Sequence, residues 1–170
     1  MPSGPLAHIC FLVEDLDKAI EDWTKILGVL DPAQLEQRLV RYDDFDGAEA
    51  GGGGDDRMAW ATFVNPGGAE IQLMAPGKDT HLGKRLAKHG EHVHHVCFTT
   101  EDPAEASRRL AEQGIEVLGG VNQDPEWDWQ QWTWVSPKSA HGTLVEVAKP
   151  YRAVDGQWVD GMAADAKDAG

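Results

Sequence analysis

His8-Ile9-Cys10-Phe11-Leu12-Val13-Glu14-Asp15 returns 87 residues later as His95-Val96-Cys97-Phe98-Thr99-Thr100-Glu101-Asp102. The echo continues downstream. Phe63-Val64-Asn65-Pro66 is answered by Trp134-Val135-Ser136-Pro137, and Gly68…Ile71-Gln72-Leu73…Pro76 by Gly142…Val145-Glu146-Val147…Pro150. A chain that repeats itself in this order folds as two copies of one small unit. Each copy carries a histidine near its start and an oxygen-bearing side chain near its end, so His8 pairs with His95 and Gln72 with Glu146.

Within each copy the local signals agree. Residues 6–13 and 92–99 are rich in β-branched and aromatic residues and predict strands. Asp15 or Asp17 predicts the cap of a helix whose apolar positions Leu16, Ala19, Ile20, Trp23, Ile26 and Leu27 keep helical spacing, with Gly28 placed as the terminating C′ residue. Asp102-Pro103-Ala104-Glu105 opens the matching helix, which runs to Gly114. Residues 35–42, 58–64 and 69–74, then 115–118, 130–135 and 143–148, predict the remaining strands. The expected organisation is a first βαβββ module over 1–76, a linking helix within 77–91, a second βαβββ module over 92–151 and a flexible tail over 152–170. The acidic stretch 43–57, centred on Gly51-Gly52-Gly53-Gly54, is a break. The fold class is α+β, with a curled mixed sheet forming a cup.

Side chains alternate across a strand. His8 shares a face with Cys10 and Leu12, leaving Ile9, Phe11 and Val13 to pack under the helix. Gln72 lies opposite Ile71 and Leu73, His95 opposite Val96 and Phe98, and Glu146 opposite Val145 and Val147. All four therefore point away from the helices, into the cup. Two imidazoles, an amide oxygen and a carboxylate form a mixed N/O set that suits one divalent metal ion, Co²⁺, Zn²⁺, Mn²⁺, Ni²⁺ or Fe²⁺. By the same alternation His94 turns away from His95; it and His92 are read as outer-shell or surface residues. Cys10 and Cys97 occupy equivalent cup-face positions and read as buried packing.

Charge narrows the partners. A formal net charge of −14 lacks the basic footprint of nucleic-acid binding and disfavours anionic membrane surfaces. No apolar run reaches the roughly 20 residues of a spanning helix, the start shows no signal-peptide pattern, and two cysteines form no disulfide framework. A cytoplasmic protein acting on a small molecule is expected. Four of the seven tryptophans, Trp127, Trp129, Trp132 and Trp134, fall together. Trp132 and Trp134 share a strand face while Trp127 and Trp129 sit in a Pro/Asp-rich loop, and the group reads as the wall of a substrate pocket suited to an aromatic or bulky apolar molecule.

Leu6-Ala7-His8-Ile9 with Val13-Glu14-Asp15-Leu16-Asp17-Lys18-Ala19-Ile20, Gly90-Glu91-His92-Val93-His94-His95-Val96, and His141-Gly142-Thr143-Leu144-Val145-Glu146 resemble the vicinal oxygen chelate superfamily: glyoxalase I, methylmalonyl-CoA epimerases, extradiol dioxygenases and bleomycin-resistance proteins. The resemblance covers residues 6–150 and is greatest to the epimerases. It implies metal ligands at His8, Gln72, His95 and Glu146, a homodimer, and abstraction of the α-proton of an acyl-CoA thioester with Glu146 as one proton-transfer group. The family's second glutamate falls where this chain has Gly51–Gly54 and Asp55-Asp56, with Glu49, Asp55 and Asp56 as the nearest carboxylates. A glyoxalase I-type lyase, an Fe²⁺ dioxygenase using His8, His95 and Glu146, and a non-catalytic binder of the bleomycin-resistance kind stand as alternatives.

Overall fold

The structure, a computed structural model, describes residues 6–46 and 57–163. Gly51–Gly54, Glu49, Asp55 and Asp56 lie outside them. The first module comprises β1 (Leu6–Leu12), α1 (Leu16–Leu30), β2 (Val40–Asp46), β3 (Arg57–Phe63) and β4 (Glu70–Pro76). α2 (His81–His89) links it to β5 (His92–Thr99), α3 (Pro103–Glu112), β6 (Val117–Gln123), β7 (Gln131–Val135) and β8 (Leu144–Ala148). Eight strands form one open mixed sheet in the order β2-β3-β4-β1-β5-β8-β7-β6. Each half reads outward from a central strand, β1 or β5, and these two pair antiparallel. β4 runs parallel to β1 and β8 parallel to β5. The register repeats as well: Gln72 stands beside Cys10, and Glu146 beside Cys97.

The caps hold the helices where the sheet needs them. Asp15 accepts from the Lys18 N–H, Thr80 from Gly83 and Asp102 from Glu105, each satisfying a donor that the first turn leaves open. The face of α1 carrying Leu16, Ala19 and Leu27 packs on Ala61, Phe63 and Leu73. The opposite sheet face gathers Cys10, Leu12, Trp60, Met74, Cys97 and Trp132 into a second core, the floor of the cup.

Three expectations are corrected. Gly28 does not end α1: the helix continues to Leu30, since an interior glycine costs only about 1 kcal/mol and the real stop is Asp31-Pro32, where the residue before proline leaves the helical region. β2 begins and ends later than residues 35–42, because Pro32–Glu36 makes a 3₁₀ turn instead and Asp43-Asp44-Phe45-Asp46 extends the strand. β2 is an edge strand, and charges there are tolerated; Asp43 pairs with Arg41 and Asp44 with Arg57. Finally, the expected tail is ordered over its first part. β9 (Tyr151–Val154) and β10 (Gln157–Asp160) form a hairpin turning at Asp155-Gly156, both with positive φ. Tyr151 and Trp158 bury beneath it, which offsets the small, acidic composition around them.

Candidate metal centre and its cavity

The floor of the cup brings three donor atoms face to face. His8 Nε2 on β1 lies 3.0 Å from His95 Nε2 on β5. Glu146 Oε2 on β8 lies 3.0 Å from His95 Nε2 and 3.4 Å from His8 Nε2. Both imidazoles are buried, each 3 % exposed. At most one proton can lie between the two nitrogens, so the cluster is rich in lone pairs and carries a carboxylate. Bonds of about 2.1 Å to a shared cation would span edges of about 3.0 Å at right angles and about 3.4 Å at tetrahedral angles, so these residues fit a divalent metal. Gln72 lines the same cavity from β4. Its Nε2 donates to Thr62 Oγ1 at 3.5 Å, so the amide oxygen is the end available to a cation. Cys97 adds a fifth donor: His8, Cys97 and Glu146 offer ligand atoms all within 4.8 Å of one another.

The electrostatics follow from burial. Desolvation lowers the pKa of His8, with Glu146 opposing, which favours a neutral, ligating imidazole. Burial by itself pushes the Glu146 carboxyl up, but the facing His8 and His95 imidazoles outweigh that and hold it far below the usual carboxylate range. Burial, reinforced by the Glu146 charge, pushes both cysteine thiols well up, and Cys10 packs in the core as expected.

Sequence alternation misplaces His94. Across the β1–β5 pair Cys10 faces His95 but Phe11 faces Val93, so His94 is the extra residue of a β-bulge. The bulge cancels the alternation: His94 lines the cavity and its Nδ1 lies 2.8 Å from His95 Nδ1. Burial, with help from neighbouring His95, lowers its pKa to about 3 and keeps it neutral. His92 stays outside, with Nδ1 2.7 Å from the Gly90 carbonyl and Nε2 accepting from Arg85.

Two further residues join the site: Glu70, which shares a strand face with Gln72 by alternation, and Tyr151, which had no local signal. Tyr151 places its hydroxyl 2.6 Å from His8 Nδ1 and donates to Glu70 Oε2 at 3.3 Å. Glu70 is buried on β4 beside His8, and desolvation raises its pKa to about 8. The three residues are 143 and 81 positions apart in pairs, a separation that no spacing rule reads.

Above the donors opens a cavity of about 330 Å³. Six of the seven tryptophans line it. Trp134 stands edge-on to His95 at 5.2 Å, Trp127 and Trp129 stack on each other at 5.7 Å, and Trp60 stacks on Trp158 at 6.0 Å. Trp132 is buried at the base. The loop carrying Trp127 is pinned by Asp124, whose Oδ1 accepts from the Glu126 and Trp127 N–H groups. Among the described residues lining the cavity there is no Lys or Arg, and the carboxylates are Glu146 and the turn-bound Asp124.

Two tandem βαβββ modules facing one N/O donor cluster across a shared mixed sheet define the class of fold. Residues 7–130 match the model of the glyoxalase/bleomycin resistance protein/dioxygenase superfamily, and the chain belongs to that superfamily. The ethylmalonyl-CoA/methylmalonyl-CoA epimerase of Cereibacter sphaeroides is 30% identical over 117 residues, 66% of this chain and 87% of the relative. A Streptomyces coelicolor methylmalonyl-CoA epimerase solved with 2-nitronate-propionyl-CoA is 27% identical, with a TM-score of 0.61 over 86% of this chain and 96% of that one. The methylmalonyl-CoA epimerase of Mycobacterium tuberculosis, 24% identical, shares the fold with a TM-score of 0.62 over 88% of this chain and 92% of its own. Among the described residues no helix is long and apolar enough to cross a membrane.

Proposed function

We propose that this protein is a metal-dependent isomerase of the epimerase type, removing and returning the proton next to the carbonyl of an acyl-CoA thioester. The observation that carries the reading is the convergence of His8, His95 and Glu146 within 3.4 Å at the base of an apolar cavity. His8, His95, Glu146 and the Gln72 oxygen would hold the cation. A bound divalent cation supplies Lewis acidity toward a carbonyl oxygen, which acidifies the adjacent C–H. Glu146 stays ionised through the working pH range because His8 and His95 hold it so, and it is the proton acceptor beside that carbon. The tryptophan walls exclude water and strengthen each of these electrostatic interactions. They also set the acyl group: a bulky apolar or aromatic acyl chain fits a cavity with this lining better than one bearing a second carboxylate. On this reading the protein works as a cytoplasmic homodimer.

One observation favours a second reading. Epimerisation needs a proton donor on the face opposite the acceptor, and among the described residues the cavity offers no free carboxylate besides Glu146. A glyoxalase-type lyase or an Fe²⁺ dioxygenase acting on an aromatic substrate needs none. The test is α-proton exchange in D₂O, followed by NMR, of methylmalonyl-CoA and phenyl-substituted acyl-CoA thioesters with the Co²⁺-loaded protein. The reading predicts metal-dependent exchange, faster for the aromatic thioester. A metal-loaded protein that exchanges neither is not an epimerase.

A further inference from the structure

The two modules are alike in register but not in chemistry at one buried position. Glu70 stands beside His8 on the neighbouring parallel strand; the matching position beside His95 is Leu144. The fold is therefore satisfied by a leucine there, yet the first module buries a carboxyl group, which is costly unless it is bonded. Its side-chain partner is Tyr151, at the start of the β9–β10 hairpin, which follows the last strand of the second module and is not part of the eight-stranded sheet. Tyr151 is buried, gripped by Trp158 at 4.4 Å in an edge-on contact, and its hydroxyl reaches His8 Nδ1 at 2.6 Å.

A hydroxyl has one hydrogen. Donated to Glu70 Oε2, the carbonyl oxygen of the carboxyl while it is protonated, it leaves the Tyr151 oxygen to accept from His8 Nδ1–H. The His8 proton is then fixed on Nδ1, and the Nε2 lone pair faces His95 and Glu146. Rotated the other way, the hydroxyl would donate to Nδ1 and leave a hydrogen on Nε2, where no metal can bind. We infer that Tyr151, anchored by Glu70, is a positioning residue that sets the tautomer and ring orientation of His8 for metal binding, so that the C-terminal hairpin completes the site built by the two modules. The inference rests on the metal reading above.

Outer hydrogen-bond partners of ligating histidines typically contribute 10–100-fold in metal affinity. The test is Co²⁺ affinity by competition with a chelating dye, together with the visible Co²⁺ spectrum and a thermal melt of the metal-free protein. Tyr151→Phe removes one oxygen and keeps the ring against Trp158. It is expected to weaken Co²⁺ binding by about tenfold or more and to alter the spectrum, while the metal-free protein still melts cooperatively at a somewhat lower temperature, because Glu70 and His8 Nδ1 lose a partner. Glu70→Leu, which restores the residue of the second module, is expected to match Tyr151→Phe, and the double variant to be no weaker than either alone, because Glu70 acts through Tyr151. Tyr151→Phe binding Co²⁺ within twofold of the wild type, with an unchanged spectrum, would overturn the inference. Additive losses in the double variant would overturn the role given to Glu70. A wild type that binds no Co²⁺ overturns the metal reading itself and this inference with it.

Discussion

Replacing Trp158 by alanine tests whether the C-terminal hairpin is structurally part of the cup. Trp158 is 7% exposed, stacks on Trp60 of β3 and meets Tyr151 edge-on. A tryptophan side chain buries about 150–250 Å²; at about 25 cal/mol per Å² that is about 4–6 kcal/mol, of which alanine keeps a small part. One surface of the ring lines the cavity and so lacks protein neighbours to lose. The expected loss therefore falls at the low end of the range for large-to-small core changes, about 3 kcal/mol. In a chain of this size each kcal/mol moves the melting temperature by about 2–4 °C, giving a drop of about 6–12 °C. The assay is a calorimetric or circular-dichroism melt of metal-free protein, with Trp158→Phe as the control that retains most of the packing. A Trp158→Ala melting temperature within about 2 °C of the wild type would show that the hairpin does not rest on the sheet, and the reasoning about Tyr151 would lose its scaffold.

Three more outcomes are expected. Glu146→Gln removes the anion that both imidazoles face, so its Co²⁺ affinity should fall by about 100-fold or more, no less than the loss of an outer-shell partner; wild-type metal titration curves would remove Glu146 from the ligand set. Glu70 keeps its proton in the fold up to about pH 8 although its ordinary value is 4.5. The stability this lends is complete below about 4.5 and declines as pH rises through 8, by at most about 5 kcal/mol at 1.4 kcal/mol per pH unit. Urea melts of metal-free protein at pH 5 and pH 8.5 should therefore show a smaller decline in Glu70→Gln than in the wild type, and parallel declines would contradict the burial argument. Trp129→Ala opens the stacked pair at the cavity wall; it should weaken binding of an aromatic acyl thioester by about 2–10-fold while metal content stays intact, and unchanged affinity would return Trp129 to a packing role.

Much of this architecture was legible because its causes are local or repeated. The His-x-Cys strands, the Asp15 and Asp102 caps and the 87-residue echo place β1 and β5 at the centre, and simple alternation puts His8, Gln72, His95 and Glu146 on the cup face. Alternation fails where the backbone breaks its own period: one inserted residue turns His94 into the cavity, and no composition rule announces a bulge. Gly28 misleads because a glycine inside a helix costs less than the start of a new turn requires, so the stop waits for Pro32. The link between Tyr151 and Glu70 was hidden for a different reason. Their meeting is a tertiary contact between a segment of tail-like composition and a carboxyl whose pseudo-symmetric counterpart is Leu144, and only the folded hairpin brings them to His8.

The central claim is that His8, His95 and Glu146 are inner-sphere ligands to one divalent cation. X-ray absorption of the Co²⁺-loaded protein tests it most directly, because Cys97 is close enough to compete. The account predicts one Co²⁺ per chain with nitrogen and oxygen scatterers only, the multiple-scattering signature of two imidazoles, and loss of half that signature in His95→Ala. A sulfur scatterer near 2.3 Å, or a spectrum without imidazole scattering, would contradict it.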